Sequence, residues 1–179
     1  MVYNDLESGH LLPNTRVIVA NPASVFDQAA HWQKKYGSSK LQFVSHNQYL
    51  RELQLVATSL CATVLRGQEE SLQYYDEPYN IIGAIIFGSF ARGLIHQYSD
   101  IDAYALVTLS PGLAAVCGFA DQVKRTGVSR ELSLDKSFCV TRDLREMRAR
   151  IERTKVFIGK QIVVSPYPDV IETVARGCR

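Results

Sequence analysis

The sequence predicts an α+β fold: a small mixed β-sheet with helices on one face, plus an N-terminal helical appendage. Three observations predict it. Ile81–Phe87 is an isoleucine-rich run of strand length, apolar on both faces, as a buried strand requires. From residue 81 onward, strand and helix patterns succeed one another in a single stretch. Ahead of it, Tyr49, Leu53, Val56, Leu60 and Val64 form one clean helical stripe. The division read from these patterns is an appendage over residues 1–77 and a core over 78–179.

Bulk properties narrow the class. A chain of 179 residues suits one domain, or one with an appendage, and buries a core without staples. With 46% hydrophobic and 21% charged residues it falls in the range of ordinary soluble proteins. No apolar run approaches the roughly 20 residues of a membrane span. Met1–His10 carries two acids and no apolar core, so no signal peptide is expected there. Cys61, Cys117, Cys139 and Cys178 form no Cys-x-x-Cys pair, which argues against a zinc or disulfide framework and for free thiols in a reducing cytoplasm. The charge is unevenly spread. Residues 1–123 hold 7 basic and 11 acidic side chains, and residues 124–160 hold 11 and 5. Such a basic segment either steers a polyanion or is a solvated helix face.

Taken in order, residues 1–14 are polar and irregular. Residues 15–20 read as a short strand. Asn21-Pro22 opens a helix by cap and first-turn preference, and Gly37 ends it. Ser45 with Gln48 reads as a capping box for the second helix, with Gly67 as its end. His31 and His46 have no second ligand at useful spacing and read as surface or hydrogen-bonded histidines. Residues 68–80 read as a polar linker punctuated by Pro78.

After the Ile81–Phe87 strand, Phe90–His96 has the length of one or two helical turns, and Ile101–Thr108 is a second strand. Ser110-Pro111 opens a helix whose inner stripe is Leu113, Val116, Cys117, Ala120 and Val123, stopped by Gly127. Leu132, Leu134, Phe138 and Val140 share one strand parity, and Glu131, Ser133 and Asp135 share the other. Asp135-Lys136 also suits a turn, so one long strand and two short ones both stand. Asp143 or Thr141 caps a helix to Arg153 with Leu144, Met147 and Ile151 inward. Gln161–Val164 is a last strand, and a final helix follows from Asp169.

The chemistry concentrates at two points. Gly88-Ser89 ends a buried strand, where glycine lets backbone approach a bulky anion and the serine hydroxyl can donate to it. A helix starting there adds a favourable field for phosphate, and Arg92 lies one turn on. Asp100 and Asp102 point to one face of their strand, about 6.5–7 Å apart at the backbone. Carboxylates so placed converge on hard cations such as Mg²⁺. A purely structural role, capping the loop from Ser99, is less favoured, because two unpaired acids on a buried strand are costly.

These residues carry a resemblance. Gly88-Ser89-Phe90-Ala91-Arg92-Gly93 followed by Ser99-Asp100-Ile101-Asp102 resembles the signature of the DNA polymerase β-like nucleotidyltransferase superfamily, and its minimal and aminoglycoside nucleotidyltransferase branches in particular. The match covers residues 81–107 directly, extends loosely to about 165, and leaves residues 1–75 uncovered. The resemblance implies that Gly88, Ser89 and Arg92 hold the nucleotide, and that Asp100 and Asp102 bind two Mg²⁺ ions. A third carboxylate, Glu131 or Asp135, completes the catalytic set, with Glu131 preferred as metal ligand. Arg130 and Lys136 depart from the apolar flanks usual at that position. ATP or another nucleoside triphosphate is the implied donor. The acceptor is a small hydroxylated molecule, a protein side chain or an RNA end, and a toxin-type partner protein or a second copy of the chain is a candidate partner. The competing reading is a non-catalytic nucleotide-binding, scaffold or antitoxin-type subunit that retains the fold.

Overall fold

The computed structural model describes residues 14–20, 34, 37, 41–74, 80–108, 113–154 and 159–178. Its centre is a five-stranded sheet: β1 (Thr15–Ala20), β2 (Ile81–Ile86), β3 (Ile101–Val107), β4 (Leu132–Cys139) and β5 (Gly159–Val164), in spatial order β1-β5-β2-β3-β4. Four strands pair antiparallel, and β4 joins β3 in parallel. All six residues of β2 are buried, as its unbroken apolar run requires.

Five helices are described: α1 (His46–Tyr74), α2 (Gly88–Ala91), α3 (Leu113–Arg125), α4 (Leu144–Thr154) and α5 (Pro168–Gly177). The mixed sheet of an α+β fold is present, and its helical cover extends to both faces. On one face, Tyr49, Leu53, Leu60 and Val64 of α1 and Phe119 and Val123 of α3 share a core with Ile86, Ala103 and Ile162. On the other, Met147 and Ile151 of α4 and Ile171 and Val174 of α5 pack with Ile85, Tyr104, Leu106 and Val163. Alternation along β2 and β3 feeds both cores from single strands.

Several local expectations change. Helix α1 does not stop at Gly67 but runs to Tyr74. The following residues, Gln68-Glu69-Glu70, are good helix formers despite their polarity. Ser45 Oγ accepts from the Gln48 N–H at 3.3 Å, yet Gln48 turns its own amide to Glu52 at 3.2 Å, so the capping box is half formed. The helix expected over Phe90–His96 is one turn starting at Gly88, and Gly93, with φ of 73°, ends it. On α3, Cys117 is exposed and Phe119 takes the inner position instead, which restores the i, i+3, i+4 spacing with Val116 and Ala120. Asp143 caps α4: its Oδ1 accepts from the N–H groups of Arg145 and Glu146. Thr141 Oγ1 accepts the N–H of Asp143. The four cysteines are free thiols, with Cys61 buried and Cys117 exposed. The helix expected from Asn21-Pro22, the histidine at 31, and the helix opening at Ser110-Pro111 lie outside the described residues, as do the polar start over residues 1–13 and Pro78.

The β4 segment is one strand, with a bulge at the ambiguous point. Ala103 pairs with Leu134 and Tyr104 with Lys136, so Asp135 is the extra residue. The bulge reverses the parity of β4: Leu132 and Leu134 face the α1 side, and Phe138 faces the α4 side.

Candidate functional site

The site forms where β2 ends beside the start of β3. Ile86 pairs with Ala103, and the Phe87 N–H donates to the Asp102 carbonyl at 2.9 Å. This pairing carries the chain out of the sheet at Phe87 and turns it at Gly88, directly against Asp102. Gly88 has φ of 69°, a left-handed conformation that favours glycine. A Cβ built on Gly88 would lie 2.6 Å from Asp102 Oδ2. The glycine is therefore required twice, by its backbone and by the carboxylate over it. Ser89 follows in the single turn of α2 and is buried, with 4% exposure. Its carbonyl accepts the Leu94 N–H at 3.0 Å and closes the loop after α2. Arg92, at the end of α2, is half-buried.

Asp100 is exposed and Asp102 half-buried, on the strand face that also carries Tyr104. Burial, then the charges of Asp100 and Asp135, push the Asp102 carboxyl up from the usual 3.8 to about 6. Three acids thus share one electrostatic neighbourhood. Asp135 belongs to it because the parallel β3–β4 pairing sets Asp102 beside Ser133, and the bulge follows at once. Ser133 Oγ donates to Asp135 Oδ1 at 3.1 Å. Glu131 is exposed, and its carbonyl accepts the Ile101 N–H at 2.8 Å.

Tyr104 shares this face and was not among the candidate site residues. It stacks in a tilted contact with Phe87, with ring centroids 4.7 Å apart. Burial, then Asp135 and Asp102, raise its phenol above the usual range. The signal was available: Asp100, Asp102 and Tyr104 are spaced by two and must share a strand face.

Among the described residues, no group of three or more His, Cys, Asp or Glu side chains is gathered closely enough to hold a metal ion by itself. A pair of carboxylates beside the Gly88 turn is a different donor set. It suits a hard cation that takes its remaining oxygens from substrate and water. The charges of Asp100 and Asp135 act against the ionised Asp102 carboxylate, and a bound cation would offset them. No helix among the described residues is long and apolar enough to cross a membrane.

No curated protein and no solved structure matches the chain. A family model described as nucleotidyltransferase domain matches residues 68–158, a span that begins in α1, runs through the Gly88 turn, both aspartates and the β4 bulge, and ends after α4. That span is half of the chain and contains the whole carboxylate site, so the protein belongs to the nucleotidyltransferase domain family.

Proposed function

We propose that the protein transfers a nucleoside monophosphate, with AMP from ATP as first choice, onto a hydroxyl acceptor in a Mg²⁺-dependent reaction that releases pyrophosphate. The observation that carries this reading is the seat of Asp102 on the Gly88 turn, 2.6 Å from a built Cβ. It sets a turn whose glycine carries no side chain against a carboxylate suited to a cation.

Asp100 and Asp102 would hold Mg²⁺. Asp135 is favoured over Glu131 as third carboxylate, because Asp135 is the one whose charge is felt at Asp102. When bound, the ions lower the pKa of the acceptor hydroxyl and offset charge on the leaving pyrophosphate. The chain itself orients the reactants. Gly88 and Ser89 receive the triphosphate, with Arg92 nearby. The acceptor oxygen bonds to the α-phosphorus as the bridging P–O bond to the β-phosphate breaks, and the acceptor proton leaves to water. Phe87 and Tyr104 wall the carboxylates from the apolar core behind them.

The Gly-Ser-Phe-Ala-Arg-Gly wording favours the minimal or aminoglycoside branch of the family. The acceptor classes are a small hydroxylated molecule, a protein side chain, as on a toxin-type partner, or an RNA end. The exposed arginines of α4, Arg145, Arg148 and Arg153, support a polyanionic acceptor. Arg130 and Lys136, which depart from the apolar flanks usual beside the third carboxylate, support the second reading, a subunit that binds nucleotide without turnover.

Titration calorimetry with ATP, with and without Mg²⁺, tests the binding step. Mg²⁺-dependent binding that disappears in Asp100→Ala/Asp102→Ala is expected. Absence of binding by the intact chain sinks both readings. Normal binding without any labelled acceptor, across small-molecule, protein and RNA pools, leaves the second reading standing and removes the first.

A further inference from the structure

The residues beside the carboxylates contain a second arrangement, built around Arg130. Its Nη1 donates to the carbonyls of both His96 and Ser99, each at 2.8 Å. Its Nε donates to Glu52 Oε2 at 2.5 Å, and Nη2 reaches Glu52 Oε1 at 3.4 Å. The two charged side chains are largely withdrawn from water, 11% and 20% exposed. The planar guanidinium suits this geometry, since its donors diverge in a rigid fork that an ammonium does not offer.

The carbonyls it holds belong to the turn that delivers Asp100. That turn is closed on itself: the Ser99 N–H donates to the His96 carbonyl, and the His96 N–H donates to Ser99 Oγ, both at 3.0 Å. Ser99 C=O is part of the peptide plane preceding Asp100. Ile101 N–H is part of the plane following it, and it is held by the Glu131 carbonyl at 2.8 Å. Adjacent residues 130 and 131 therefore grip both peptide planes that flank Asp100. Fixing those planes restricts both backbone torsions of Asp100 and so the direction of its side chain.

We propose that Arg130 is a positioning residue for Asp100, oriented in turn by Glu52 of α1. It rests on the reading of Asp100 as a cation ligand. Helix α1 thereby serves the site directly: Gln48 donates to Glu52, Glu52 holds Arg130, and Arg130 holds the turn. Partners that orient metal ligands from behind typically affect metal affinity about 10- to 100-fold.

The test uses the full chain and two readouts other than turnover: binding of Mn²⁺ alone, followed by electron paramagnetic resonance, and amide hydrogen exchange over residues 96–101 without metal. Arg130→Met is expected to weaken Mn²⁺ binding about tenfold and to speed exchange in that segment by a similar factor. Arg130→Lys is expected to recover part of both, since one ammonium reaches fewer of these acceptors. If Arg130→Met does not fold, Glu52→Gln replaces it and is expected to weaken Mn²⁺ binding about threefold, in the same direction. A folded Arg130→Met, or in its place Glu52→Gln, that binds Mn²⁺ as wild type does and exchanges no faster overturns the clamp. Wild type that binds no Mn²⁺, or binds it equally well as Asp100→Asn, overturns the cation-site reading instead, and with it the role given to Arg130.

Discussion

Asp102 Oδ2 occupies the space into which a side chain at Gly88 would project, 2.6 Å from the built Cβ. Strand pairing fixes this relationship, because the Phe87 N–H to Asp102 carbonyl bond holds the two segments together at that level. Gly88→Ala thus meets a left-handed φ and a displaced carboxylate at once. A stability loss of about 1–2 kcal/mol is expected from the backbone alone. Nucleotidyl transfer should fall at least about a hundredfold, since a 1 Å misplacement can cost that much. Thermal unfolding and transfer of labelled nucleotide, measured on the same sample, check both parts.

Asp102 makes the apo protein sensitive to pH. Its folded-state value of about 6 lies above the ordinary 3.8. The native state therefore binds the proton more tightly than the unfolded chain does. The resulting stabilisation is complete below about pH 4 and is lost as pH rises through about 6. Asp102→Asn, neutral throughout, is expected to exceed wild type in metal-free stability at pH 7.5 by about 1–2 kcal/mol after discounting for solvent screening. The gap should close near pH 4. Denaturant unfolding at both pH values, in chelator, measures it; a wild type more stable than the variant at pH 7.5 would contradict the charge assignment.

Asp135 and Glu131 separate by their consequences. Asp135→Asn is expected to lower transfer by about two orders of magnitude or more, as loss of a group acting at the reacting centre does. Glu131→Gln should stay within about threefold of wild type, because its structural contribution is a backbone carbonyl that the substitution keeps. Parallel rate measurements at saturating nucleotide decide the pair, and a Glu131→Gln loss equal to that of Asp135→Asn would reverse the assignment.

Leu60 of α1 is fully buried in the core shared with the sheet. Leu60→Ala is expected to cost about 2–4 kcal/mol, the usual range for a large-to-small change at such a position. Denaturant unfolding followed by far-ultraviolet circular dichroism would detect it as an earlier midpoint. A cost below about 0.5 kcal/mol would mean that α1 contributes little to the core.

The sequence made the central strands legible because burial on both faces leaves an unmistakable apolar run, as in Ile81–Ile86. The closeness of Gly88 to Asp102 was legible for a related reason: each stands at the end of a strand, and neighbouring strands bring such ends together whatever packs around them. The extent of α1 past Gly67 was not, because one glycine in a helix costs only about 1 kcal/mol and surrounding packing overrides it. Nor was the β4 bulge. Leu132, Leu134 and Phe138 share a parity in sequence yet face opposite cores, since an inserted residue reverses alternation without altering composition. Arg130 stood out only as a charge intruding beside a strand. Its partners, Glu52, His96 and Ser99, come from two separate segments, and no local pattern announces such a contact.

The most direct measurement is transfer of radiolabel from α-phosphate-labelled ATP to acceptor pools in Mg²⁺, comparing wild type with Asp100→Asn/Asp102→Asn. The account predicts acceptor labelling and pyrophosphate release by wild type, both abolished by chelator and by the double substitution, with the fold intact by circular dichroism. Equal labelling by the double variant, or labelling that persists in chelator, would contradict it.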